Sequence, residues 1–174
     1  MTELITLPIP KELQHPFFFS IQDEMNIEKE SLTKISLNDP FLYEIAYYSQ
    51  VDALKPWERQ EEFIPLIVAE WAKMKPLLSD LFSKRETKQI MKPMQSAVRL
   101  FLAFVYWGNG LPVQYSPSLI SHKLRIKPVN IDERLTFIIA RPVLHHSFIQ
   151  LNGLMVEMEK QYVKAQALKK ASKH

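Results

Sequence analysis

The residues with the most evident chemistry are five cations within nineteen positions: Lys123, Arg125, Lys127, Arg134 and Arg141. Residues 123–127 alternate basic and apolar side chains, so an extended chain would point three cations to one side. Such a patch can hold a phosphate backbone, with an affinity that falls as salt rises. A solvated surface, with some cations paired to acidic groups of the same domain, is the interpretation that charge alone favours. The five residues are therefore a candidate nucleic-acid or anion-binding site.

Two of these cations have an alternative structural role. Arg134 and Arg141 lie seven residues apart, about two helical turns, and share a face if one helix contains both. Because a guanidinium can make several hydrogen bonds to carboxylates or open helix ends, we favour internal pairing over capture of a phosphate or acidic ligand.

The pair His145-His146 invites a metal-binding interpretation. Neighbouring side chains on a helix point about 100° apart, and helical metal sites use side chains three or four residues apart. We therefore expect one histidine to pack or cap and the other to be exposed. A catalytic base needs an oriented partner, so an enzyme using either histidine with Arg141 is the least favoured hypothesis.

A carboxylate cluster opens one of the predicted helices. Its members are Glu58, Glu61, Glu62 and Glu70. Two-iron bundles require Glu-x-x-His pairs on two helices, which are missing, so a solvated acidic first turn is the better interpretation. The sequence predicts no metal, no cofactor and no catalytic residue.

The three tryptophans, Trp57, Trp71 and Trp107, lie in apolar helical patterns. They could line a ligand pocket, but aromatic residues at such positions more often pack in a core. We expect core packing.

The charge of the chain is divided between two halves. Residues 1–91 carry ten Lys and Arg against fifteen Asp and Glu, and residues 92–174 carry twelve against four, giving net charges of −5 and +8. This division allows association between copies, acidic half to basic half. The absence of cysteine excludes disulfides and thiolate chemistry, and three glycines are too few for a glycine-rich phosphate loop.

Two features that the sequence lacks, a membrane-spanning apolar run and a signal peptide, predict the compartment of the protein. Its longest apolar run, Leu100–Trp107, has eight residues, far fewer than the ~20 that span a bilayer. The N-terminus lacks the pattern of a signal peptide. We predict a cytoplasmic protein with no membrane association.

The predicted fold is all-α: a single-domain bundle of five to seven helices around a central buried helix. Residues 1–38 should form an extended N-terminal arm packed on the core, and residues 39–174 the helical domain. Within the arm, 24–37 could be a short helix. Asp39 as N-cap and Pro40 as first residue should begin a helix that ends near Leu54.

The spacing of apolar residues predicts further helices, with proline and glycine marking where they begin and end. One should begin at Pro56 and bend at Pro65, with Pro76 separating a short segment, 77–82. The central helix should span 83–107 and stop at Gly108. We expect a short helix at 117–120. Another should start at Asn130, with a capping-box-like contact to Glu133, and end near Pro142. The last should begin near Val143 and fray beyond 165.

The segments Lys127–Leu135, Arg141-Pro142 and Phe148–Leu151 resemble the YpoC-like family, small proteins of Bacillus-type bacteria without an established activity. The resemblance extends over about residues 57–162 and leaves the N-terminal arm outside. It implies a soluble, mostly helical, cytoplasmic protein. It transfers no mechanism, because these segments are not a catalytic signature.

Three function hypotheses follow. The first is a non-enzymatic binding or accessory protein with a protein partner. The second is nucleic-acid binding through the five cations at 123–141. The resemblance favours this hypothesis slightly, because the family's genes tend to lie near replication and repair genes. The third is an enzyme of unknown type. The oligomeric state remains open.

Overall fold

A computed structural model describes residues 2–19, 23–39, 41–116 and 122–173. The predicted helix at 117–120 and the predicted helix-starting Pro40 lie outside the described residues. In the described part, the protein is mostly helical and has a small two-stranded sheet. Mainly helical architecture is confirmed, whereas the strictly all-α prediction is wrong.

The sheet lies near the N-terminus. Strand β1, Leu4–Pro8, pairs antiparallel with β2, Glu24–Glu28, in a register that places Leu4 opposite Glu28. Ile27 is buried and its partner Ile5 half-buried, while the alternate residues are exposed. The helix predicted at 24–37 is therefore wrong: residues 24–28 have a two-residue apolar period, and Lys29–Thr33 forms a short 3-10 helix.

The remainder of the N-terminal segment contributes to the core. Ile9, Leu13, Phe17 and Phe18 are buried in the same apolar cluster as the helices, and a 3-10 turn, Lys11–Leu13, follows β1. The side chains of Gln95 and Arg99 donate hydrogen bonds to the carbonyls of Phe17 and Phe18. The division at residue 38 stays a prediction.

Helix α1 spans Leu42–Tyr48, a shorter range than predicted. Its N-cap is Phe41, whose backbone is left-handed (φ 56°), and no side chain caps the helix. Gln50 adopts φ 60°, and the Val51 amide donates to the Ala46 carbonyl. This left-handed turn ends the helix six residues before the predicted end at Leu54.

Helix α2, Gln60–Ser83, follows a 3-10 turn at Pro56–Glu58. Pro65 and Pro76 both lie inside α2, on its exposed side. The break predicted at Pro76 is therefore wrong. Trp71, Leu78 and Phe82 form one buried surface on both sides of Pro76, so burial keeps the chain helical despite the missing amide donor.

Helix α3, Thr87–Trp107, begins four residues later than predicted and ends before Gly108 as predicted. Every residue of Leu100–Trp107 is buried. Helices α4, Ile131–Ala140, and α5, His145–Ala171, follow. The start of α4 after Asn130 is confirmed, but Asn130 is left-handed and its side chain caps nothing. Helix α5 extends beyond the expected fraying point at 165.

The last three helices and α2 pack together. Helix α3 contacts α2 and α5, and α5 also contacts α2 and α4. Aromatic rings fill the contacts, with Phe148 of α5 between Trp71 and Phe82 of α2. In the described part of the chain, no helix is long and apolar enough to cross a membrane.

Candidate functional site

The segment 123–127 shows the alternation expected from its sequence. Lys123 and Arg125 are exposed, Leu124 and Ile126 are buried, and Lys127 is half-buried. The segment has no regular hydrogen-bonding partner strand, so side chains of other elements hold its backbone. We call residues 123–127 the basic segment.

Two side-chain amides fix the basic segment. Asn109 accepts hydrogen bonds at Oδ1 from the amides of Arg125 and Ile126 and donates from Nδ2 to the Ile126 carbonyl (2.7 Å). Gln161 of α5 binds both the N–H and the C=O of Lys127 (3.1 and 2.6 Å). These bonds substitute for a β ladder. The exposed cations therefore project from a fixed backbone.

Arg134 is part of an internal network between α4 and α5. Its Nε donates to Gln150 Oε1 (3.0 Å), and its Nη1 donates to the Val129 carbonyl (3.1 Å) and to Glu157 Oε2 (2.5 Å). The Arg134 side chain is only 20% exposed. These contacts match the structural alternative, in which a planar guanidinium joins several acceptors.

A glycine of α5 makes room for this network. A Cβ atom at Gly153 would lie 2.9 Å from Arg134 Nη2. The guanidinium is held on three sides by Gln150, Val129 and Glu157, so it cannot move aside without losing hydrogen bonds.

Arg141 lies apart from Arg134, beyond the last residue of α4. It is exposed, and its guanidinium lies 5.0 Å from the centre of the Phe137 ring. His146 packs edge-on against the same ring (5.4 Å), and His145 lies near Phe82 (5.6 Å). Both histidines are exposed, so the expectation that one packs and the other is exposed holds only in part.

The acidic first turn of α2 forms a local ion pair. Arg59, just before the helix, binds both carboxylate oxygens of Glu62. The described residues contain no group of three or more His, Cys, Asp or Glu side chains placed to hold a metal ion. The three tryptophans are buried, as expected for core packing, and Trp107 also lines a cavity, which was the alternative interpretation.

The outer surface of α5 carries an apolar stripe. Ile149, Val156 and Val163, which we call the α5 stripe, are spaced seven residues apart and are 53%, 40% and 61% exposed. Glu159, Lys160 and Lys164 lie beside it and line a shallow depression with the two valines. The apolar pattern of the sequence predicts only the buried residues of α5, so it does not reveal this stripe.

A cavity opens between α2, α3 and residues 36–39 and 41–44, with a volume of about 580 Å³. Its wall is mainly apolar, with contributions from Met74, Leu78 and Leu100. The walls also carry one buried carboxylate, Glu44 of α1. His145, His146 and Arg141 do not line this cavity.

Glu44 is completely buried. Its Oε2 accepts hydrogen bonds from the Trp107 indole Nε1 (2.6 Å) and the Val113 amide (3.0 Å), whereas its Oε1 has no hydrogen-bond partner among the described residues. Burial raises the pKa of the Glu44 carboxyl to about 7, although Trp107, Val113 and the backbone amide of Glu44 itself act in the opposite direction.

A family model for YpoC-like proteins matches residues 61–170. The uncharacterized protein YpoC of Bacillus subtilis (strain 168) is 34% identical over 118 residues, which cover 65% of this chain and 70% of that protein. The chain belongs to the YpoC-like family. No solved structure matches.

The YpoC-like match includes α3, α4, α5 and nearly all of α2, and it therefore contains the basic segment, the Arg134 network and the α5 stripe. It begins after Glu44, so the cavity is built from both matched and unmatched residues. The sequence offered one signal for Glu44: a carboxylate within the apolar run Phe41–Ala46. That signal was overlooked because a glutamate in the first turn of a helix is usually solvated.

We predict that Gly153→Ala will fail to stabilise the protein, although alanine is favoured over glycine in a helix by about 1 kcal/mol. The new methyl group displaces the Arg134 guanidinium from its acceptors. In an Arg134→Ala background the same change should raise the free energy of unfolding by about 1 kcal/mol. Urea denaturation of the four proteins measures this coupling. An equal gain in both backgrounds contradicts it.

We predict that Glu44 makes the fold less stable as pH rises through neutrality. Its folded pKa of about 7 lies above the ordinary value of 4.5, so its contribution is full below pH 4.5 and decreases as pH rises through 7. The loss should be on the order of 3 kcal/mol by pH 8. Glu44→Gln should remove this dependence.

Urea denaturation from about pH 5 to about pH 8 checks this expectation through the difference between wild type and Glu44→Gln. Burial lowers the pKa of His15, which changes stability in the opposite direction, but this contribution cancels in the difference. The exposed Glu61→Gln is the control and should parallel the wild type. A constant difference between wild type and Glu44→Gln refutes the expectation.

Proposed function

We propose that this YpoC-like protein is a non-enzymatic accessory protein that binds a partner protein through the α5 stripe. The observation that supports the proposal is the alignment of three exposed β-branched side chains at seven-residue spacing. Isolated exposed apolar residues are common on protein surfaces, but several aligned on one helix face are more typical of an interaction surface.

The spacing indicates what the partner contributes. A seam between two helices has apolar side chains at two positions of every seven residues, and the α5 stripe supplies one of them. Glu159, Lys160 and Lys164 lie beside the stripe, where they would meet charged or polar groups of a partner. The partner in this proposal is an amphipathic helix that lies along α5. Each stripe residue that becomes buried would contribute on the order of 1 kcal/mol.

A second copy of the chain is one possible source of that helix. In an antiparallel pair of α5 helices centred between Glu159 and Lys160, Val156 of one copy faces Val163 of the other. The same arrangement places Glu159 opposite Lys160. The stripe is thus compatible with self-association as well as with a different partner.

Nucleic-acid binding is the second candidate function, and the basic segment supports it. Lys123 and Arg125 are exposed, and Asn109 holds the backbone at Arg125, so little backbone freedom would be lost there on contact with phosphates. Arg134, however, is paired with Glu157. With fewer available cations, fewer phosphates are neutralised and the expected affinity is low.

We predict that the double variant Val156→Glu/Val163→Glu will lose a partner that the wild type retains. Immobilised protein is exposed to a lysate of the source organism, and the recovered proteins are compared quantitatively. Glutamates in the seam are desolvated without partners, so recovery should fall at least tenfold. Val129→Glu, a change of the same kind at a 67% exposed position outside the stripe, should retain the partner.

Sedimentation of the same proteins identifies the partner as a second copy if the wild type forms a dimer and the double variant does not. Equal recovery by wild type and double variant contradicts the α5 stripe as the binding surface. If the wild type recovers no partner, forms no dimer and turns over a member of a substrate panel, the accessory role is wrong.

For the second candidate, we predict weak DNA or RNA binding at low salt that Lys123→Glu/Arg125→Glu/Lys127→Glu abolishes. Fluorescence anisotropy at low and moderate salt measures it, and the affinity should fall steeply with salt. Lys88→Glu, an exposed charge reversal at the start of α3, is the control. No binding at low salt, or binding unchanged by the triple reversal, counts against this function.

A further inference from the structure

The cavity between α2, α3 and residues 36–39 and 41–44 has the size of a small-molecule site. Its volume of about 580 Å³ falls within the range of ligand pockets, which combine mostly apolar walls with a few polar groups. Leu78 and Leu100 belong to the core and form part of the wall, while Leu77 at the rim is 67% exposed. A ligand with an apolar body therefore has a surface to contact.

The charges that line the cavity are mainly negative. Four carboxylates contribute to the lining, Asp39, Glu44, Glu70 and Asp80, against the single cation Arg99. An acidic lining alone would not define a ligand, because such residues are usually solvated. One of the four, Asp80, is exposed and pairs with Lys84 (3.0 Å).

Arg99, the cation among the described lining residues, also contacts the N-terminal segment. Arg99 Nη2 donates to the Phe18 carbonyl (3.3 Å), and the guanidinium lies 6.0 and 5.8 Å from the ring centres of Phe18 and Phe19. Its Nε is buried without a hydrogen-bond partner. The Arg99 guanidinium therefore interacts mainly with Phe18 and Phe19 of the N-terminal segment.

The decisive observation is Glu44 Oε1. Glu44 lines the cavity and is 0% exposed; its Oε2 accepts hydrogen bonds from Trp107 and Val113, whereas Oε1 accepts none from the part of the chain that the structure describes. Leaving a buried carboxylate oxygen unpaired is unfavourable, and such groups in folded proteins usually have a functional or solvent explanation. Because Oε1 has almost no solvent-accessible surface, a donor from the cavity would reach it only when neighbouring side chains shift, and would then complete the hydrogen bonding of Glu44.

We propose that this cavity binds a small amphipathic amine, whose ammonium group donates a hydrogen bond to Glu44 Oε1 and whose apolar body contacts Met74, Leu78 and Leu100. An ammonium offers three donors and a positive charge, which suits one orphan acceptor within an acidic lining. A carboxylate or phosphate ligand would meet repulsion from the same lining. A neutral alcohol could donate to Oε1 but gains nothing from the charge.

The binding should depend on pH because the ammonium favours ionised Glu44. Burial holds the pKa of Glu44 at about 7 in the free protein, so affinity should rise about tenfold per pH unit below neutrality and level off above it. The charged and titratable groups near Glu44 come from α1, α2, α3 and the segment before α1: Asp39, Tyr43, Tyr48, Glu70, Asp80 and Arg99.

Octylamine is the probe, with octanol and octanoate as the neutral and anionic controls of equal chain length. Isothermal titration calorimetry measures affinity from about pH 5 to about pH 8. The Trp107 indole N–H resonance reports the site, because this group binds Glu44. We expect octylamine to bind at least tenfold more tightly than octanol, to shift the Trp107 resonance and to gain affinity with rising pH.

Glu44→Gln should reduce octylamine affinity at least tenfold and abolish its pH dependence, while the exposed Glu61→Gln changes neither. Ser96, an exposed residue of the lining, supplies a variant that leaves Glu44 in place: Ser96→Trp should fill the cavity and reduce affinity at least tenfold. The α5 variant Val156→Glu/Val163→Glu should bind octylamine normally, which separates this proposal from the proposed partner surface.

Several results would overturn the proposal. Octanol or octanoate binding as tightly as octylamine removes the role of charge. An unchanged Trp107 resonance, or affinity unchanged in Ser96→Trp, places binding elsewhere. No binding of octylamine at any pH assigns the cavity to solvent alone.

Discussion

The buried hydrogen bond from the Trp107 indole to Glu44 joins the parts of the chain that meet at the C-terminal end of α3. The same carboxylate oxygen accepts the Val113 amide, so it also fixes the segment that leaves α3. The Trp107 carbonyl in turn accepts from Gln60 at the start of α2. Helices α1, α2 and α3 are thus joined through one tryptophan, and a bond to a carboxylate inside a low-dielectric core is stronger than one at the surface.

Side-chain amides perform the corresponding role at the other end of the loop that follows α3. Asn109 and Gln161 each satisfy both a donor and an acceptor of the basic segment. This arrangement fixes an irregular backbone without a strand partner. It also explains the distribution of charge: Arg134 turns inward to Glu157, while Lys123 and Arg125 remain at the surface. Part of the positive charge of residues 92–174 is therefore neutralised by an ion pair within that half of the chain.

The sequence predicted the elements whose local signals agree with their packing. Gly108 ended α3, and the apolar period of α5 placed its buried residues, because local and tertiary preferences coincide there. The alternation at 123–127 predicted which side chains are exposed. Pro76 was misinterpreted because contacts with other helices outweigh the local cost of proline. The β pairing of residues 4–8 with 24–28 joins residues that are sixteen to twenty-four positions apart, which no local pattern specifies.

The candidate sites were harder to predict than the fold, and Glu44 shows why. From sequence, Glu44 is a first-turn glutamate like Glu61, and only the surrounding packing separates the two. An ionised carboxylate without solvent is unfavourable, so a chain that retains one in its core gives up stability above neutral pH. Gln or Met could fill a similar volume without a charge. An amine in the cavity would give this carboxyl a role beyond joining Trp107 to Val113, because Glu44 lines the cavity and its Oε1 has no hydrogen-bond partner among the described residues.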